Sequence, residues 1–70
     1  MKREEAIAVL KEIAESRFSV SWVSLVNKEL DDYEIHIKPN LMFSASLDQI
    51  VQKHNLALKE VKGILIIHES

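Results

Sequence analysis

Over residues 4–15 the apolar positions recur at threes and fours. Ala6, Ile7, Leu10, Ile13 and Ala14 form one stripe and Val9 widens it. Lys2, Lys11, Glu12 and Glu15 fall on the other side. Glu4 and Glu5 occupy the first turn, where the positive end of the helix dipole favours acids. The pattern predicts an amphipathic helix ending at Ser16-Arg17. Over residues 18–30 two periods compete. Phe18, Val20 and Trp22 alternate with Ser19, Ser21 and Val23 as in a strand, while Phe18, Trp22, Leu25, Val26 and Leu30 recur as in a helix. A strand to about Val23, then a turn or helical piece over 25–29, accommodates both. Asp31-Asp32 predicts a loop. Residues 33–38 predict a strand, with Tyr33, Ile35 and Ile37 on one face and Glu34, His36 and Lys38 on the other. Pro39-Asn40 stops it. Leu41-Met42-Phe43 is expected to fold back as a plug or edge extension over the hydrophobic layer.

The remaining stretch, 46–68, organises the rest. Ser46-Leu47-Asp48-Gln49 has the capping-box pattern, and Leu47, Ile50 and Val51 make a helical stripe. Ser44 or Ser46 opens this helix and Asn55 stops it. It is short, so it needs a sheet to lie on. Leu56–Val61 and residues 64–68 read as two strands joined at Lys62-Gly63, where the chain's single glycine takes a positive φ without steric cost. With that loop Val61 faces Ile64 and Leu58 faces Ile67. Leu56, Leu58, Leu65 and Ile67 then share the core face. Val61, Ile64, Ile66 and His68 line the opposite face, which is unusually apolar for a face left to water.

These elements predict an α+β fold: one domain over residues 1–70, order α-β-β-α-β-β, with helices packed on one face of a mainly antiparallel sheet. Seventy residues and a 47% apolar fraction support one small core, whose modest stability a partner would help. The absence of cysteine removes disulfides and thiolate metal sites. A formal net charge of -2 argues against nucleic acid as the main partner. No apolar run approaches a membrane span. The chain as given reads as cytoplasmic, and as a cell-envelope domain if it was cut from a secreted parent.

Candidate chemistry changes this picture little. His36, His54 and His68 would have to converge to hold a metal, and they read as surface or edge histidines. Asp31, Asp32, Glu34, Asp48, Glu60 and Glu69 could include an acid–base pair, but a solvated turn explains Asp31-Asp32 and a helix start explains Asp48. Ser19, Ser21 and Ser24 lie in no nucleophile elbow, and one glycine builds no phosphate loop. No catalytic residue, cofactor or metal is expected, and no small-molecule ligand is indicated. Trp22 is expected in the core for the area it can bury, with an interface anchor beside Phe18 as the alternative.

The spacing of Tyr33-Glu34-Ile35-His36-Ile37, Ser46-Leu47-Asp48-Gln49-Ile50-Val51, Asn55-Leu56-Ala57-Leu58 and Gly63-Ile64-Leu65-Ile66-Ile67 after an early helix and a strand resembles the secretin and TonB short N-terminal domain. It also resembles the C-terminal domain of FecR-type anti-sigma regulators. The resemblance covers most of the chain and implies a small α/β envelope module that docks other proteins and has no enzymatic role. The chain departs from the pattern in starting at Met1 without an export signal and in carrying Asn55 where those domains have glycine.

Two functions follow. The first is a non-catalytic protein–protein interaction module, self-associating as a homodimer through the C-terminal hairpin, with Val61, Ile64, Ile66, His68 and Trp22 as interface candidates and the last strand's edge as a further pairing surface. The second is a winged-helix-like nucleic-acid-binding domain. That requires residues 18–30 to be helical, 46–55 to be the recognition helix and 56–68 the wing, with Lys53, His54, Lys59 and Lys62 as contacts.

Overall fold

A computed structural model describes residues 1–16, 20–40 and 45–70. The element order is α1 (Arg3–Glu15), β1 (Val20–Glu29), β2 (Asp32–Pro39), α2 (Ala45–Lys53), β3 (Leu56–Val61) and β4 (Ile64–Glu69). The four strands form one antiparallel sheet in the order β1-β2-β4-β3. The α+β fold and its element order match the reading from sequence.

The segment with two competing periods is a strand throughout its described part. β1 runs unbroken from Val20 to Glu29, so the turn or helical piece expected over 25–29 is absent. Pairing with β2 decides it, because the alternation of β1 can be satisfied on a neighbouring strand whereas a helix there would leave β2 unpaired on that side. The register shifts between Val20 and Trp22 and again between Asn27 and Glu29. The first shift brings both Val20 and Val23 against the core, an odd spacing that a regular strand cannot bury on one face. Leu41, Met42 and Phe43, with Phe18 and Ser44, lie outside the described residues.

The β3–β4 hairpin has the expected register, with Val61 opposite Ile64 and Leu58 opposite Ile67. Lys62 (φ 51) and Gly63 (φ 82) both take the left-handed region, the backbone that a two-residue loop needs to match strand twist. Asn55 (φ 55) ends α2 in the same region, as its side chain tolerates. α2 starts at Ala45, one residue before Ser46, and Ser44, the other expected start, lies outside the described residues.

The core is a single cluster. Ala6, Val9 and Ile13 from α1 and Leu47 and Val51 from α2 meet Ile35 and Ile37 of β2 and Leu65 and Ile67 of β4. Val23, Leu25, Tyr33, Leu56 and Leu58 pack around it. The expectation that the helices pack together on one face of the sheet is corrected: α1 lies along β2 and α2 along β3, so they do not share one layer over the same strands, and they touch each other. The stripe of α1 is also turned from its expected position. Val9 is its buried centre, while Ile7 and Ala14 face water.

Met1 closes the core. Its side chain is fully buried, its ammonium donates to Asp32 Oδ1 at 2.9 Å and to the Tyr33 carbonyl at 3.0 Å, and its own carbonyl accepts from the Tyr33 amide at 2.7 Å. The ammonium bond holds the Asp32 carboxyl below its ordinary value.

Candidate interaction face

Strand alternation sorts the sheet into two faces. One carries the core cluster. On the other, Cα pairing aligns Ser24, His36, Ile66 and Lys59 in a row across all four strands. Trp22 pairs with Lys38 and Val61 with Ile64 on one side of that row; Val26 pairs with Glu34 and Ala57 with His68 on the other. Continuing the His36–Ile66 register by two residues sets Lys38 beside Ile64 and Glu34 beside His68. The result is three parallel rows of four residues.

This second face is partly apolar and partly wet. Trp22 and Val61 lie at its opposite edges, each 45% exposed. The expectation that Trp22 belongs to the core is therefore corrected. The residues before and after it alternate, and Val23, not Trp22, takes the core side. Ile64 and His68 are half-buried. Ile66 is only 8% exposed without belonging to the core cluster. Its cross-strand partners His36 and Lys59 flank it, so it offers a floor rather than an accessible contact. Of the five interface candidates, Trp22, Val61, Ile64 and His68 present surface on this one face.

Sequence reading missed the polar centre of the face. Glu34 is 8% exposed, although its face is open. His36 Nε2 donates to its Oε1 at 2.8 Å, and Lys28 Nζ lies 3.7 Å from its Oε2. Burial pushes the Glu34 carboxyl up. The His36 hydrogen bond and the charges of Lys28, His36 and Lys59 outweigh that and hold it below its ordinary value. The shared face of Glu34 and His36 was legible in the i, i+2 spacing, but the reach of Lys28 was not, because it depends on the register shift at the end of β1.

Ser24, His36 and Glu34 are the residue types of a nucleophile–base–carboxylate relay. Ser24 stands across from His36, yet among the described residues no hydrogen bond joins them, and they lie on an open sheet surface rather than in a cleft. The three histidines do not converge. His36 is on β2, His68 on β4, and His54 follows α2, where its Nε2 bonds Glu12 of α1. Among the described residues no cluster of three or more histidine or acidic side chains could hold a metal. No described helix is long and apolar enough to cross a membrane.

The expectation that the last strand offers a free edge is corrected. β4 pairs with β2 on one side and β3 on the other, so its hydrogen-bonding groups are committed, and the sheet edges are β1 and β3. The winged-helix arrangement loses its required helix over residues 18–30, since β1 is a strand. Compared with models of protein families, with curated proteins and with solved structures, the chain matches none.

Proposed function

We propose that the chain is a non-catalytic protein–protein interaction module that docks through the sheet face opposite its core. The observation that carries this reading is the pairing of two large exposed apolar side chains, Trp22 and Val61, on one face with half-buried Ile64 between them. Scattered exposed apolar residues need no explanation, but here three share one row, broken only by the half-buried stem of Lys38, and one of them is an aromatic anchor of the kind binding surfaces use. Exposed Lys59 and half-buried Lys38 keep the free face soluble, while Glu34 is held at its centre by His36 and Lys28. The resemblance to envelope docking domains points to the same class of function. The net charge of -2 and the strand at residues 20–29 weigh against the nucleic-acid alternative.

The test compares the tagged chain with a Trp22→Lys/Val61→Lys variant in extracts of cells that express it. Both positions are exposed, so the variant should keep the wild-type circular dichroism. The wild-type chain should elute in a complex larger than its 8.0 kDa mass and the variant should not. Equal elution of the two would overturn the reading.

A further inference from the structure

Resting on that reading, we propose that the occupant of the face is a second copy of the chain, packed sheet against sheet about a two-fold axis parallel to the strands. Two sheets that pack face to face keep their strands within about 30° of each other, so rows on one sheet meet rows on the other. A two-fold axis along the strands reverses the strand order across the interface. It lays β1 over the other copy's β3, and β2 over the other copy's β4.

The rows described above are complementary under this operation. In the first, Trp22 comes over Val61 of the other copy, and Lys38 over Ile64. In the middle row Ser24 meets Lys59 and His36 meets Ile66. In the third, Val26 meets Ala57 and Glu34 meets His68. Each contact occurs twice. The two most exposed apolar side chains of the face thus cover each other. The other two-fold axis available to stacked sheets, across the strands, is worse. It sets Lys59 on Lys59 and His36 on His36, and moves Trp22 away from Val61. Edge pairing is a poorer route for β1, whose ladder is broken by two register shifts.

The patch is small. Four strands about 4.8 Å apart and three rows about 6.7 Å apart give a footprint roughly 19 Å by 20 Å. That is about 380 Å² per copy, below the range of stable interfaces, and predicts a weak dimer that dissociates at hundreds of micromolar.

Light scattering or sedimentation of the purified full chain from about 5 to 500 µM tests this. The weight-average mass should rise from 8.0 kDa towards twice that value. Trp22→Glu and Val61→Lys should each stay monomeric, because each removes the Trp22–Val61 contact twice and puts a charge in its place, whereas the Lys38 ammonium of the wild type reaches away to the hairpin turn at Gly63 and lays only its aliphatic stem over Ile64. An equimolar mixture of the two variants should regain the dimer mass. One charge then meets the opposite charge on one side, while Trp22 meets Val61 on the other. If either first variant fails to fold, the exposed middle row offers a charge swap: Ser24→Lys alone should stay monomeric, because it sets two like charges together at Lys59 twice, and adding Lys59→Glu to the same chain should restore the dimer. A wild-type chain that stays monomeric at 500 µM overturns the second copy as occupant. A dimer insensitive to Trp22→Glu, or two monomeric variants that do not rescue each other, overturns this geometry. If the purified chain is monomeric but the complex in extracts still depends on Trp22 and Val61, the docking function stands with a different partner.

Discussion

At the scale of single residues, the contrast between Ile67 and Leu30 shows what the fold uses. Ile67 is fully buried between β2 and β3, opposite Ile35 on one side and Leu58 on the other. Leu30, in the β1–β2 turn, is 98% exposed. Removing three carbons from Ile67 takes away transfer energy and leaves a cavity in a core that two short helices cannot collapse to fill. We expect Ile67→Ala to cost about 2–5 kcal/mol in urea unfolding, a large share of the stability of a chain of this size. Leu30→Ala should change stability by less than about 0.5 kcal/mol. Both residues are large and aliphatic, and Ile67 was assigned to the core from its register with Leu58. No comparable signal marked Leu30 as a turn residue, because the segment's helical period counted it as part of a stripe. Trp22 was misjudged for a related reason. Its size argues for burial, but its face is set by the pleat of β1, and that pleat was ambiguous.

At the scale of elements, the two helices are tied by one carboxylate. Glu12 of α1 accepts hydrogen bonds from Lys53 Nζ at 2.9 Å and from His54 Nε2, which lie at the end of α2 and just beyond it. The His54 bond, followed by the Lys53 bond, holds the Glu12 carboxyl below its ordinary 4.5. A carboxyl whose folded value is depressed contributes stability above its unfolded value, and that contribution is lost as pH falls through the folded one. The urea midpoint of the wild-type chain should therefore drop as pH falls below about 4.5. Glu12→Gln should start lower at pH 7 and show a shallower drop. Equal slopes for the two proteins would mean that the clasp contributes nothing measurable, as holds for many exposed ion pairs. Asp32 and Glu34 titrate in the same direction, so the variant flattens the profile without abolishing it. The clasp joins residues 41 and 42 apart in sequence, and no local spacing announced it.

At the scale of the whole molecule, the sheet has one face occupied by the core and one that carries Trp22, Val61 and a paired Glu34. If that second face is covered by another copy, folding and association are linked, and apparent stability depends on protein concentration. The thermal or urea midpoint should rise between 5 and 500 µM chain in the wild type and stay constant in Trp22→Glu. A midpoint independent of concentration in both would show that the folded chain gains nothing from a second copy. The strand order β1-β2-β4-β3 makes this possible. It places the most exposed apolar residues of the second face on opposite edge strands, where a two-fold axis can bring them together.

Local periodicity and turn chemistry settle a good part of this fold from the order of residues alone. They specify α1, β2, α2 and the β3–β4 hairpin with its register, because a stripe, an alternation, an Asn stop and a Lys-Gly loop each have one low-energy local answer. They also mark the apolar second side of that hairpin. Long-range packing settles the state of β1, the neighbour of β4, the seats of the two helices and the burial of Met1. Those depend on which strand or core lies alongside, and residues far apart in sequence meet only once the chain is closed. The candidate face shows both parts. Val61, Ile64 and His68 came from the hairpin's own alternation, whereas Trp22 and Lys28 joined them through the pairing of β1 with β2 and its register shifts.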